Sequence, residues 1–254
     1  MKHFLVILCL FKAFSVYSQS DESLPAIAAD KGIPNMFFER TVQLRIDGST
    51  VSGVLHVGKD SVIHIITALH LFKDRIRKLK NGDTCTITMY HEDSWKTAHG
   101  HVFYKDTLTD IAVIKLYQKL PQRPHQIWES RTVLGQDMAF LGYPLNFQTI
   151  ATNKIFAHPL PLVNKGIFSG FNSANGNDLL FISANNTYGY SGGPVIYYNY
   201  YRNKWEIIGI VGGYINQMNV IERNNGKKDT TYENSGLMYA TDIKQVLAIK
   251  GLNL

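Results

Sequence analysis

Apolar positions along this chain come in short runs that alternate with polar residues or are bounded by Gly, Asn and Asp. Twelve such runs follow one another: "TVQLRID", "SGVLHV", "SVIHIITA", "CTITMYH", "HGHVFYK", "IAVIKLY", "MAFLGYP", "GIFSGF", "LLFISA", "GPVIYYN", "WEIIGIVGG" and "GLMYAT". Val, Ile, Thr, Tyr and Phe dominate them, the residues that fit a pleated, half-buried surface. Helical spacing is rare. Only "DIKQVLAIK" places Ile243, Val246 and Leu247 on one face of a short helix. Many strands with almost no helices between them predict an all-β chain of antiparallel sandwich or barrel type, not a βαβ fold. The pattern breaks at "YQKLPQRPHQIWES", where Pro121 and Pro124 mark a linker at 121–130 between two strand-rich halves. "RNNGKKDTTYENSG", residues 223–236, reads as a mobile polar loop. There is no internal repeat and no low-complexity tract.

The first eighteen residues change the picture of where the protein acts. Met1-Lys2-His3 is followed by "FLVILCLF" and then by small residues, with Val16 and Ser18 at the positions a signal peptidase reads. The apolar run is well short of the roughly 18–20 residues a membrane span needs. Residues 1–18 are expected to be a signal peptide, leaving a mature protein with no membrane association, either secreted or periplasmic. Losing Lys2 and Lys12 lowers the net charge from +6 to +4. The densest basic stretch, "KDRIRKLKNGD", lacks interleaved aromatics and reads as solvated surface, so nucleic acid is not an expected partner. Only Cys85 remains once Cys9 is removed, so no intramolecular disulfide forms. That differs from disulfide-rich secreted proteins of animals and leans toward a bacterial envelope or extracellular setting.

Candidate chemistry centres on "NNTYGYSGGPVI", where Ser191 is surrounded by Gly189, Gly192 and Gly193. The letters G-Y-S-G-G satisfy the G-x-S-x-G nucleophile elbow of α/β-hydrolases. That fold requires a histidine after the serine, yet all nine histidines precede Ser191. The elbow reading fails. The opposite order holds: His70 in "IITALHLF" follows an apolar strand, Asp110 in "LTDIAVIKL" precedes one, and Ser191 comes last. His99 and His101 alternate onto one face of a strand, but two histidines on an exposed strand do not make a metal site. No metal and no cofactor is expected.

Taken together, T-A-L-H, D-I-A-V and G-Y-S-G-G-P resemble the three signature segments of trypsin-like serine proteases. "LGQDMAFLGYPL", "GIFSGF" and "GLMYAT" are similar to segments of bacterial Deg/Htr-type members, and the likeness runs from about residue 36 to 245. It implies two antiparallel six-stranded β-barrels with a short C-terminal helix: an N-terminal segment at 19–35, a first barrel at 36–120, the linker, and a second barrel with the helix at 131–254. It reads as a stand-alone protease domain with no PDZ domain. It further implies a catalytic triad of Ser191, His70 and Asp110, and an oxyanion hole of the Gly189 and Ser191 N–H groups. The substrate is then a peptide or protein. Asn185, six residues before the serine, would lie at the base of the side-chain pocket, Gly212 and Gly213 would line the cleft, and Tyr214 would stand at the pocket mouth. A neutral Asn185 implies a preference for small or medium uncharged side chains. Nothing in the sequence speaks to oligomeric state.

Two features depart from the animal pattern. Tyr190 stands directly before the serine, where those enzymes carry Asp, which argues against switching by a freshly cut N-terminus. Ile210-Val211-Gly212-Gly213 looks like such an N-terminus but follows the serine on a predicted strand. Asn185-Asn186-Thr187 is a formal glycosylation sequon, discounted because a glycan there would obstruct the cleft. Two other functions stay open: a catalytically weak or inactive peptide-binding module with Tyr190 distorting the serine loop, and an esterase using the same serine.

Overall fold

The computed structural model describes residues 32–46, 49–57, 62–75, 78, 80–91, 94–117, 132–146, 160–174, 176–223 and 225–252. The signal-peptide segment and the 121–130 linker lie outside them. Each of the twelve apolar runs contributes to a strand: β1 Thr41–Ile46, β2 Ser49–Val57, β3 Ile63–Ala68, β4 Thr84–His91, β5 Ser94–Asp106, β6 Ile111–Leu116, β7 Asp137–Gly142, β8 Leu162–Ala174, β9 Asn177–Ser183, β10 Pro194–Asn199, β11 Lys204–Glu222 and β12 Lys228–Asp242. All pairings among them are antiparallel.

Two closed six-stranded barrels result, in the orders β1-β2-β3-β6-β5-β4 and β10-β11-β12-β9-β8-β7. Closure comes from Leu44 and Arg45 of β1 pairing with β4, and from Val195 and Ile196 of β10 pairing with β7. Closing a sheet removes its edges, so a chain of short strands leaves few backbone groups unpaired. Both barrels belong to one unit, Pro34–Leu254.

Alternation places each core. Leu44, Val51, Leu55, Ile65, Ile87 and Ile114 fill the first barrel; Phe140, Ile182, Val195, Ile208, Val211 and Met238 fill the second. The helix expected near the C-terminus spans Ile243–Leu247, with Asp242 capping it by accepting the Lys244 N–H at 2.9 Å. A second short helix, Asn35–Arg40, precedes β1 and has no clear sequence signature. Among the described residues no helix is long and apolar enough to cross a membrane.

One expectation is overturned. The polar stretch 223–236 is not a loop for most of its length: from Lys228 onward it is the first half of β12, paired with Asn216–Glu222 of β11. The pair extends beyond the barrel as a two-stranded ribbon. Both of its faces are largely exposed, so the alternation that reveals a half-buried strand is lost, while cross-strand backbone bonds form regardless of side-chain polarity.

Cys85 is free and packs against the first core, and burial pushes its thiol up to about 11. Only the thiolate is nucleophilic. Alkylation of the folded protein should be slow at pH 8 and keep accelerating as pH rises toward 11; a rate that levels off near pH 9 would contradict this.

Candidate active site

His70 lies at the start of a 3-10 turn, Leu69–Arg75, that directly continues β3. Asp110 ends the turn joining β5 to β6, in a left-handed conformation with φ 54°. Asp106 shapes that turn, accepting the Leu108 N–H at 2.9 Å and the Thr109 hydroxyl at 3.0 Å. The two segments are tied by three bonds. The Leu69 N–H donates to the Asp110 carbonyl at 2.8 Å, the His70 N–H donates to Asp110 Oδ1 at 2.8 Å, and His70 Nδ1 lies 2.6 Å from Asp110 Oδ2. An ionised carboxylate only accepts, so Nδ1 carries the proton and Nε2 of the neutral ring is left as the basic nitrogen.

The second barrel grips the same turn from across the cleft. Thr241 of β12 donates its hydroxyl to the Thr109 carbonyl at 2.6 Å, and Asn177 of β9 donates to the Leu108 carbonyl at 2.5 Å. Asp110 is thus held from both barrels.

Ser191 follows β9 and precedes β10 in a loop folded tightly against the first barrel. Gly189 has φ 106°, and a Cβ there would sit 2.3 Å from the Tyr143 carbonyl oxygen. Gly192 has φ 84° and would meet the Ser52 carbonyl oxygen at 2.2 Å. Only glycine fits such backbone at such closeness. Among the described residues the Gly189 and Ser191 N–H groups have no hydrogen-bond partner. The Ser191 hydroxyl donates to the Gly212 carbonyl at 3.1 Å and makes no bond to His70.

All these groups meet in one cleft of about 1020 Å3, lined by His70, Asp110, Gly189, Ser191, Gly212 and Tyr214 among others. Gly213 lines it as well. Asn185 does not. Its side chain is exposed and its carbonyl accepts from Asn164 Nδ2 at 2.7 Å. The neighbouring Asn186 is buried and lines the cleft, and its carbonyl accepts from Asn234 Nδ2 at 2.6 Å. Tyr214 stacks edge-on against the exposed Tyr188, with ring centroids 5.9 Å apart. Tyr239, which reading by sequence missed, packs under Gly212, where a Cβ would lie 2.4 Å from its ring. Burial, and then the nearby Asp110 charge, raise its hydroxyl pKa, so it stays neutral. Among the described residues no three His, Cys, Asp or Glu side chains gather as a metal site would require.

Ser52 is the largest omission of the sequence reading. This buried residue of β2 donates its N–H to the Ser191 carbonyl at 3.1 Å and its hydroxyl to the Gly189 carbonyl at 2.6 Å. The same hydroxyl accepts the Tyr143 N–H at 3.0 Å, and its carbonyl accepts the Thr67 hydroxyl at 2.8 Å. Tyr190 secures the loop from the other side: it is 5% exposed, sits in the second core, and meets Phe140 edge-on at 4.9 Å. Its ring points into the barrel rather than the cleft, so an apolar anchor stands where animal enzymes use a charge.

Residues 51–210 match the trypsin-like peptidase domain family, and the chain belongs to it. It is accordingly a serine protease by family. Solved structures agree on the fold. The Rv3671c protease of M. tuberculosis in its active form is 18% identical at a TM-score of 0.53, covering 85% of this chain and 82% of that one. Its inactive form is 17% identical at 0.53, covering 84% and 87%. The serine endoprotease of Yersinia pestis is 19% identical at 0.54, covering 83% of this chain and 61% of that one. No curated protein matches in sequence.

Ser52 and Tyr190 give separable outcomes. Ser52→Ala orphans a buried carbonyl and a buried N–H, each worth about 1–3 kcal/mol, and should lower stability and loosen the Ser191 loop. Tyr190→Ala should cost about 3–5 kcal/mol through the cavity it leaves. Tyr190→Phe should be near neutral, because the hydroxyl has no hydrogen-bond partner among the described residues. Urea unfolding of the three variants reads these differences; a Phe variant as unstable as the Ala variant would show that the hydroxyl, not the ring, holds the loop.

Proposed function

We propose that this protein is an exported serine endopeptidase working through a Ser191-His70-Asp110 triad and an acyl-enzyme. The observation that carries the reading is the doubly bonded His70–Asp110 pair facing the same cleft as Ser191. Asp110 fixes the imidazole tautomer and stabilises the imidazolium once it forms. His70 Nε2 takes the Ser191 proton as Oγ attacks the peptide carbonyl, then passes it to the leaving amine. The Gly189 and Ser191 N–H groups, unbonded among the described residues, meet the oxyanion; one such donor is worth about 3–4 kcal/mol in the transition state. The serine must first leave the Gly212 carbonyl and turn to His70, a realignment common between resting and substrate-bound sites.

Gly212 and Gly213 supply backbone against which a peptide pairs as an added strand. Among the described residues the lining holds Thr, Asn and Tyr side chains and no Lys, Arg or Glu. This supports a preference for small or medium uncharged residues, with Asn186 and Tyr214 nearest the pocket. Substrates are peptides or proteins outside the cytoplasm, in the periplasm or the medium.

A second reading, a peptide-binding module on the same fold, draws on the Ser191 hydroxyl bonding Gly212 instead of His70. A fluorophosphonate probe separates the two. Wild type should label and Ser191→Ala should not, while Asp110→Asn should lose ~10⁴-fold in peptide turnover. Absence of labelling in the wild type favours the binding module. A peptide-library digest then reads specificity, and efficient cleavage only after Arg would sink the uncharged preference. Esters cleaved with peptides untouched would mark an esterase.

A further inference from the structure

β11 does not end where the barrel does. Up to Ile210 it pairs with β10 on one side and β12 on the other; from Gly213 to Glu222 its ladder partner is β12 alone among the described residues. Among the described residues the edge facing away from β12 is therefore open for about ten residues. It begins inside the cleft, since Gly212, Gly213, Tyr214 and Asn216 all line it. Gly212 itself falls at a register shift between Val211 and Gly213, so its backbone stands outside the β12 ladder.

Open edges of this length are normally blunted by Lys, Glu, Asp or Pro. β12 follows that rule in the ribbon, with Lys228, Asp229 and Glu233. β11 does not: "GYINQMNVI", residues 213–221, contains no charge and no proline. One face of the ribbon carries the cross-strand pairs Met218–Tyr232 and Val220–Thr230, with Met218 59%, Val220 55% and Tyr232 67% exposed. A two-stranded ribbon is marginal in water. This one is closed at its tip by backbone bonds from the Arg223 N–H to the Lys227 carbonyl and from the Gly226 N–H to the Arg223 carbonyl, and by an Arg223–Asp229 ion pair, yet its apolar face stays more than half exposed.

We propose that the β11 edge beyond the cleft is an extended substrate-docking surface. Its occupant is one flank of the same polypeptide whose scissile bond lies at Ser191, added as a third strand to the ribbon. Strand addition supplies main-chain bonds irrespective of sequence, and alternate side chains of the added strand fall beside Met218 and Val220. The surface reads an extended, unfolded chain with apolar residues at every second position. It rests on the protease reading, and on the continuity of one uncharged edge from cleft to ribbon.

The test compares a short cleavable peptide with versions lengthened by eight residues on either flank, carrying apolar residues at alternate positions. Wild type should cleave one of the lengthened peptides with about ten-fold higher kcat/KM, mainly through KM. The double variant M218S/Y232S should lose that gain with little change on the short peptide, and M218L/Y232F should restore it. No gain on either flank, or a ribbon variant that slows short and long peptides alike, overturns the proposal. Sedimentation provides another check: if wild type is a dimer that M218S/Y232S converts to monomer, the surface belongs to a second copy and the proposal fails. If no peptide is cleaved and the fluorophosphonate does not label, the protease reading has failed on its own. Anisotropy of the long labelled peptides on Ser191→Ala protein, with and without M218S/Y232S, then still decides the docking surface.

Discussion

The cleft depends on a single saturated polar junction at Ser52. A buried hydroxyl is costly unless both its donor and its acceptor capacity are used, and here both are, across the boundary between the barrels. Through it, β2 of the first barrel sets the carbonyl of Gly189 and the turn after β7, while its backbone N–H sets the carbonyl of Ser191. Fixing those carbonyls fixes the peptide planes that carry the Tyr190 and Gly192 N–H groups, which donate to the Thr187 and Val211 carbonyls. The Tyr143 hydroxyl adds a further tie, donating to the Thr41 carbonyl of β1 at 2.9 Å. The serine loop is accordingly shaped by the first barrel, although the second carries it.

The division between charged and apolar anchoring follows from this. Hydrogen bonds to Ser52 orient the loop's backbone, and Tyr190 supplies the burial that holds the loop down. An aromatic anchor is always in place, because it needs no second charge to arrive. Asp110, by contrast, is held by polar contacts: directly by His70 and Leu69 on its own barrel, and through the Thr109 and Leu108 carbonyls by Thr241 and Asn177 on the other.

What the sequence made legible follows the same logic. His70, Asp110 and Ser191 are singled out by their order along the chain together with the resemblance of T-A-L-H, D-I-A-V and G-Y-S-G-G-P to the trypsin-like signature segments. The all-β class was legible in the short β-rich runs, whereas the two six-stranded barrels were implied only by the family resemblance, since strands such as Ile63–Ala68 are buried throughout and do not alternate. Ser52 carried no signal, since its partners Tyr143 and Gly189 are 91 and 137 positions away and its own strand looks ordinary. Asn185 was singled out by counting back from Ser191. In an irregular loop, however, the facing residue is set by local turns, and Asn186 is the one that turns inward. The ribbon was misread because solvent on both faces erases alternation.

Thr241 carries a consequence for timing. It lies in β12, the twelfth strand, and reaches back 132 positions to hold the turn bearing Asp110. The first barrel has all its strands once Leu116 has been made, but the turn gains its far-side supports only with the second barrel, Asn177 from β9 first and Thr241 from β12 last. A chain interrupted before β12 also has an open second barrel and lacks Tyr239, whose ring packs under Gly212. The cleft is therefore completed last, and a partly synthesised chain lacks the full set of bonds that shape it.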